Sequence, residues 1–250
     1  KGKIIPALAE SWDISDDGLT YTFRIRPGVK FRNGQDLTVE DVAFSYKRLS
    51  GLDGGRAANS KYTCISSVDI IDESTVQIQI AGRDASFLIK CAGAVVPEGY
   101  TDQAIKPIGT GPYKYEEFIP GQLVSLAKNY DYHNPERAGQ IEKAEFVLMP
   151  DDNEKIQALR SGAIDIFEAS NDIIGQVSGH FTKFHSYSNT AQALALNNSV
   201  EPFDNTDVRR AINYAINRQE IVDIITDGTG YGIYTTFTPA MSWYNDKTEL

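Results

Sequence analysis

Apolar and polar residues alternate with a period of two in a stretch near the start of the chain. Tyr21, Phe23 and Ile25 alternate with threonines and arginines, and an Asp-Asp-Gly turn precedes them. This alternation is typical of half-buried strands and predicts a β-hairpin over 11–26. The same pattern recurs around an Asp-Glu-Ser turn and predicts a second hairpin over 67–80.

Helical spacing follows the first hairpin. Thr38 has the chemistry of an N-cap, and Asp41 follows three residues later, near the positive end of the helix dipole. Apolar residues then recur on one face, at Val42, Ala43, Tyr46 and Leu49. Similar spacing and end signals predict further helices over 86–92, 150–162 and 208–218.

Six further segments have the composition or alternation of strands. They are 113–118, 122–128, 141–149, 163–166, 181–187 and 193–198. The segment 106–113 contains two prolines and two glycines, so it is expected to lack regular structure. Strand, helix and strand in succession over 141–166 favour a mixed α/β sheet.

Several blocks of this sequence resemble the family 5 extracellular solute-binding proteins, the oligopeptide, dipeptide and nickel receptors of ABC importers. Around the first hairpin the resemblance rests on Ala-Glu-Ser-Trp at 9–12, Arg-Pro-Gly-Val-Lys-Phe at 26–31 and Thr-Val-Glu-Asp-Val at 38–42. Gly-Thr-Gly-Pro-Tyr at 109–113 resembles the motif with which the family's chain returns to its main lobe. Pro-Phe-Asp at 202–204 precedes a second segment typical of the family.

The resemblance implies a mixed α/β chain with the type II two-lobe architecture of periplasmic binding proteins. It places the small subdomain of lobe I at 1–104, the main part of lobe I at 105–191, and a hinge strand with the beginning of lobe II at 192–250. The chain would then correspond to about half of a family member, without the family's first strands and most of its second lobe. His133 departs from the pattern, because the family usually has tryptophan there.

The function implied by the resemblance is capture of a short peptide by closure of two lobes, followed by delivery to the permease subunits of an ABC transporter. The expected location is extracytoplasmic, in the periplasm or on the outer face of the cell membrane. Membrane association is expected only through a lipid anchor outside this chain. Two alternatives remain: the same receptor role for a nickel chelate or an oligosaccharide, and a peptide-sensing or chaperone-like domain that is not coupled to import.

The residues expected to contact the ligand are inferred from the resemblance. They are Ser60 and Tyr62 after the first helix, Phe167, Glu168 and Ala169 after the segment 163–166, and Ala193 and Ala195 at the crossover. Each of them has an alternative interpretation as an ordinary loop or sheet residue. Glu168 is the sharpest candidate, because an acid that follows an apolar strand can meet a ligand cation.

Charge and residue content argue against several other classes of protein. The formal net charge is −10 and the 24 basic residues are scattered, so a nucleic-acid partner is not expected. No apolar run approaches the ~20 residues that a membrane span requires. The three histidines lack metal-binding spacing, and adjacent acids lie on caps and turns. We therefore expect no metal, no cofactor and no catalysis.

Cys64 and Cys91 are the only cysteines of the chain. In an exported protein two such residues can form a disulfide bond. Free thiols are also common in buried strands and helices, where they behave as small apolar side chains. The sequence alone leaves both states open.

Overall fold

The computed structural model describes residues 4–184, 191–226, 230–235, 237–241 and 244–245, without the side chains of 171 and 172. The strands are β1 (Ala9–Ile14), β2 (Thr20–Ile25), β3 (Ile65–Asp72), β4 (Thr75–Ile80), β5 (Tyr113–Ile119), β6 (Leu123–Lys128) and β7 (Lys143–Val147). The α-helices are α1 (Val39–Ser50), α2 (Phe87–Lys90), α3 (Asp152–Ser161), α4 (Asn171–Gln176), α5 (Thr206–Ala215) and α6 (Arg218–Thr226). Short 3₁₀ turns lie at Ser60–Tyr62, Asp102–Ala104 and Pro135–Arg137.

The first sheet has the strand order β1-β2-β4-β3, and all its pairs are antiparallel. Both hairpins predicted from the alternation are confirmed. Tyr21 lies opposite Ile78 and Phe23 opposite Val76, and all four side chains are buried. Helix α1 packs against β3 and β4, so the apolar face of the sheet and that of the helix form one core. Each such buried side chain contributes about 1.5–3 kcal/mol of transfer free energy.

The predicted N-cap of α1 is confirmed as a full capping box. The backbone N–H of Thr38 donates to Asp41 Oδ2 at 2.9 Å, and the backbone N–H of Asp41 donates to Thr38 Oγ1 at 3.4 Å. Gly51 ends the helix with φ of 84°, a left-handed conformation that strains other residues. An added Cβ there would also lie 2.9 Å from the backbone nitrogen of Ala57.

The second sheet has the order β5-β6-β7 and is also antiparallel. Gly121, with φ of 72°, lies in the turn between β5 and β6 that the sequence predicts. The loop after the first hairpin reaches this sheet through Arg32. Its backbone N–H donates to Gly109 O at 3.0 Å, and its guanidinium lies over the Tyr115 ring at 5.5 Å. The irregular segment 106–113 is therefore anchored on one side by the first hairpin's loop.

Three strands predicted after residue 148 are not formed in the described part of the chain. Residues 163–166 have no strand, and Ile166 is 88% exposed. The hinge strand expected over 193–198 is also irregular, with Leu194 67% exposed. Residues 181–184 form no strand, and the rest of the predicted segment 181–187 lies outside the described residues. The physical reason is that a strand needs a neighbour for its hydrogen bonds, and both described sheets end before residue 149.

The helix predicted over 208–218 is wrong in extent, because α5 ends at Ala215 and a separate helix, α6, begins at Arg218. The side chain of Asn217 accepts a hydrogen bond from the backbone N–H of Glu220 at 3.2 Å. An asparagine in this role begins a new helix, and it competes with continuation of the preceding one. The helix predicted over 150–162 is confirmed as α3, with Asp151 as N-cap and Gly162 as C-cap.

The chain divides into two compact units, Lys3–Leu148 and Met149–Leu250. The first sheet lies within the predicted segment 1–104 and the second within 105–191. The boundary between the compact units therefore falls inside the second predicted segment. The three-part division at 104 and 191 stays a prediction.

Candidate functional site

Ser60 and Tyr62 share the 3₁₀ turn that leads from α1 to β3. The side chain of Asn59 accepts from the backbone N–H of Lys61 at 3.0 Å and begins the turn. At its other end, Thr63 Oγ1 donates to Ser60 O at 2.9 Å. Ser60 is exposed, so its side chain is open to a ligand.

Tyr62 is only 6% exposed and belongs to the core of the first sheet. Its hydroxyl donates to Lys90 O at 2.8 Å, and its ring meets the Tyr46 ring edge-on at 5.9 Å between centroids. Burial, followed by the neighbouring Cys91, raises the pKa of the Tyr62 hydroxyl, so it acts as a neutral donor. The structure thus gives Tyr62 a packing role, while contact with a ligand stays a prediction.

Gly93 lies next to the Tyr62 hydroxyl, where there is no room for a side chain. A Cβ added at Gly93 would lie 2.8 Å from Tyr62 Oη and 3.0 Å from Leu49 Cδ1. Only a residue without a side chain fits there while the hydroxyl keeps its bond to Lys90. The need for glycine at position 93 could not be predicted from the sequence. The contact joins Gly93 to Tyr62, which is far away in the chain, and no local pattern signals it.

The α2 helix contains Lys90, whose carbonyl accepts the Tyr62 hydrogen bond. A cluster of polar side chains precedes this helix. The Asp84 carboxylate pairs with the Lys90 ammonium and also accepts from the backbone N–H of Ser86 at 2.9 Å and its hydroxyl at 2.6 Å. The hydrogen bond from Lys90, followed by those from Ser86, lowers the pKa of Asp84 to about 2. The helix that accepts the Tyr62 hydrogen bond is therefore fixed at its other end by an ionised carboxylate.

The remaining candidates belong to the unit Met149–Leu250. Phe167 and Ala169 are half-buried, while Glu168 between them is exposed. The segment leaves α3 at Gly162, where the backbone N–H of Ala163 donates to Ala158 O at 2.8 Å. Since residues 163–166 form no strand, the predicted position of Glu168 after an apolar strand is corrected to an irregular segment.

Ala193 and Ala195 are exposed in an irregular stretch, so the expected crossover strand does not hold them. Downstream, Arg209 donates from Nη1 to Phe203 O at 2.7 Å and to Asp204 O at 3.0 Å. This arginine therefore fixes the Pro-Phe-Asp segment against α5. Ligand contact by Ala193 and Ala195 stays a prediction.

The candidates lie in three local groups, each made of residues close together in the sequence. These are the 3₁₀ turn, the segment 167–169 and the stretch that contains both alanines. Among the described residues, no three His, Cys, Asp or Glu side chains are grouped so that they could hold a metal ion. No helix in the described ranges has the length and apolar content to cross a membrane.

Comparison with known proteins defines the class of protein. A family model described as bacterial extracellular solute-binding proteins, family 5 Middle, matches residues 3–249. The chain therefore belongs to the bacterial extracellular solute-binding proteins of family 5, as its motifs predict. Among the relatives, heme-binding protein A of Haemophilus influenzae is 28% identical over 98% of this chain and 51% of its own length. Di/tripeptide-binding protein 1 of Pseudomonas aeruginosa is 28% identical over 98% of this chain and 52% of its own length.

Solved structures show the same fold. The ABC transporter-associated periplasmic binding protein DppA from Helicobacter pylori, in complex with the peptide STSA, is 28% identical and aligns with a TM-score of 0.77. The alignment covers 99% of this chain and 54% of that protein. This likeness confirms the predicted mixed α/β class of the periplasmic binding proteins. The chain spans about half the length of the relatives that it matches.

Proposed function

We propose that the protein containing this chain is the substrate-binding component of an ABC importer and that it binds short peptides. The observation that carries the proposal is its similarity to a di/tripeptide-binding protein and to a structure that holds a peptide. The protein works outside the cytoplasm, as the family description indicates. Its role is binding without a chemical step, and the permease subunits of the transporter receive the ligand.

In the proposed mechanism, two lobes close on the peptide and the closed form docks on the permease. The exposed irregular segments around Glu168 and around Ala193 leave backbone groups that can pair with an extended peptide. The Glu168 carboxylate is exposed and supplies a negative charge for the peptide's terminal ammonium. Ser60 is a further candidate contact, because its polar side chain is exposed.

A chelate cargo is the second candidate, since heme-binding protein A is as similar to this chain as the di/tripeptide-binding protein. Nickel chelates and oligosaccharides belong to the same alternative. A peptide-sensing or chaperone-like role without import would retain the peptide site but not the transporter. The cargoes are separate outcomes of the binding experiment below, whereas the role without import would give the same peptide binding.

Isothermal titration calorimetry of the complete protein tests the proposal with di- and tripeptides, a nickel–histidine chelate, heme and an oligosaccharide. We expect binding of the peptides, and a loss of about 10–100-fold in affinity for Glu168→Gln, because a charge-assisted hydrogen bond is removed. Glu201→Gln removes the same charge from an exposed loop position of the same unit and should bind as the parent does.

N-acetylated peptides separate the two parts of the proposal. If Glu168 binds the terminal ammonium, acetylation weakens binding to the parent protein and leaves Glu168→Gln without a further loss. Equal peptide affinity for Glu168→Gln and the parent would reject the role of Glu168 alone. Binding of a chelate or sugar, with no binding of any peptide, would reject the proposed cargo.

A further inference from the structure

The two cysteines of the chain lie at the ends of two neighbouring segments of the same core. Cys64 is the last residue before β3, and Cys91 follows the last residue of α2. Both are partly buried and pack against the core that the first sheet forms with α1. The fold therefore brings to one core two residues that are far apart in the sequence.

One hydrogen bond joins the two cysteine segments directly, and a second joins the Cys91 segment to α1. The hydroxyl of Tyr62, two residues before Cys64, donates to the carbonyl of Lys90 at 2.8 Å. The hydroxyl of Tyr46 donates to the carbonyl of Cys91 at 2.7 Å. The chain on each side of the pair is thus fixed by a buried tyrosine.

The two thiols also share one ionisable neighbour, Tyr21. Burial is the main reason that the pKa of Tyr21 is raised, and Cys91 and Cys64 both add to it. Burial raises the pKa of Cys91 to about 12, and the neighbouring Cys64 contributes to that rise. Each sulfur therefore lies within the electrostatic range of the other and of one shared tyrosine.

Both thiols are free in the structure, and we propose that Cys64 and Cys91 form a disulfide bond in an oxidising compartment. The bond would join the start of β3 to the end of α2. It rests on the packing of the two segments and, for its occurrence in the cell, on the proposed location outside the cytoplasm, where disulfides persist.

The oxidant is an external disulfide, for which oxidised glutathione is the probe. The first protein thiolate attacks one sulfur of the probe, forms a mixed disulfide and releases one glutathione thiolate. The second protein thiolate then attacks the protein-bound sulfur and releases the second. Two protein thiols are oxidised, one glutathione disulfide is reduced, and the two protons pass to the released thiolates through solvent. Because the raised pKa makes the Cys91 thiolate scarce at neutral pH, Cys64 makes the first attack.

The cross-link would have a stabilising effect on the fold. It closes a loop of 27 residues, from 91 − 64, and so restricts the unfolded chain. For a protein of this size the expected rise in Tm is on the order of 10 °C. The 3₁₀ turn at Ser60–Tyr62 would then be tied to α2 both by the Tyr62 hydrogen bond and by the cross-link.

Intact-mass and peptide-map mass spectrometry test the proposal. The native protein is incubated with oxidised glutathione, and remaining thiols are blocked with N-ethylmaleimide. We expect neither cysteine to carry the blocking group, and tryptic peptides 62–83 and 91–114 to remain joined until a reductant is added. Recovery of either cysteine as a blocked thiol or as a stable glutathione adduct would overturn the proposal.

Serine variants distinguish a cross-link from two independently reactive thiols. Cys91→Ser should stop at a glutathione adduct on Cys64, and Cys64→Ser should react more slowly because the remaining thiol has the raised pKa. The Tm of the parent should rise on oxidation, whereas the Tm of the double serine variant should not respond. A Tm that is the same in the oxidised and reduced parent would contradict the stabilising effect. Neither readout depends on peptide binding, so failure here leaves the proposed function intact.

Discussion

At the residue scale, burial decides what a side chain with functional chemistry does. Tyr62 has the residue type and loop position of a ligand contact, yet its ring is packed in the core and its hydroxyl is bonded to Lys90. Two neighbours complete this arrangement: Tyr46 packs against the ring, and Gly93 lies beside the hydroxyl. Ser60, two residues away, is exposed and retains the polar chemistry of a candidate site.

The contact between Tyr62 and Gly93 gives a testable coupling. Tyr62→Phe should lower the free energy of unfolding by about 1 kcal/mol, because Lys90 O loses a buried donor. Gly93→Ala should lower it by about 1–3 kcal/mol, because the new methyl group crowds the hydroxyl and Leu49. The double variant should lose less than the sum, since removal of the hydroxyl makes room for the methyl.

Denaturant unfolding of the four proteins in this cycle measures the coupling. Ser60→Ala, in the same turn but exposed, serves as the control and should change the unfolding free energy by less than about 0.5 kcal/mol. Strict additivity of the Tyr62 and Gly93 substitutions would show that the two residues do not share this space.

At the element scale, structure that depends on residues close together in the sequence is predicted well. Structure that needs a partner far away in the chain is not. The hairpins β1–β2 and β3–β4 and the cap of α1 follow from residues within a few positions of one another, and all are confirmed. Residues 163–166 also carry apolar side chains, at Ile164 and Ile166, but a strand requires a paired neighbour as well, which a local pattern cannot supply. The same limit applies to 193–198, and hence to the surroundings predicted for Glu168 and the two alanines.

The capping box of α1 also binds a distant segment of the chain, and this contact can be tested by substitution. Besides its two bonds to Thr38, Asp41 accepts from the backbone N–H of Glu98 at 2.7 Å. Asp41→Ala should lower the unfolding free energy by about 2–3 kcal/mol, because it removes the side-chain half of the capping box and leaves the Glu98 N–H without its acceptor. Glu40→Ala, which removes an exposed acid from the same turn, should cost less than about 1 kcal/mol.

Circular dichroism during urea unfolding is sufficient to compare these two variants. Hydrogen exchange at the Glu98 amide adds a local readout, since exchange there should be faster in Asp41→Ala. Similar losses of stability in the two variants would mean that only the charge near the helix N-terminus matters.

At the scale of the whole molecule, family membership gives the fold and class of the chain, while the cargo depends on the complete protein. The chain matches its family over residues 3–249 but spans about half the length of its relatives. Candidate ligand contacts occur in both compact units, Ser60 in one and Glu168 in the other. Contact of either residue with a ligand would not by itself distinguish a peptide from a chelate.

The most direct measurement of the central claim is mass spectrometry of the small molecules released when the complete protein, purified without denaturation, is unfolded. The proposed function predicts a set of short peptides, whose lengths and termini would define the preference of the site. Recovery of heme, a nickel chelate or a sugar as the bound molecule, without peptides, would contradict the claim that this family member is a peptide receptor.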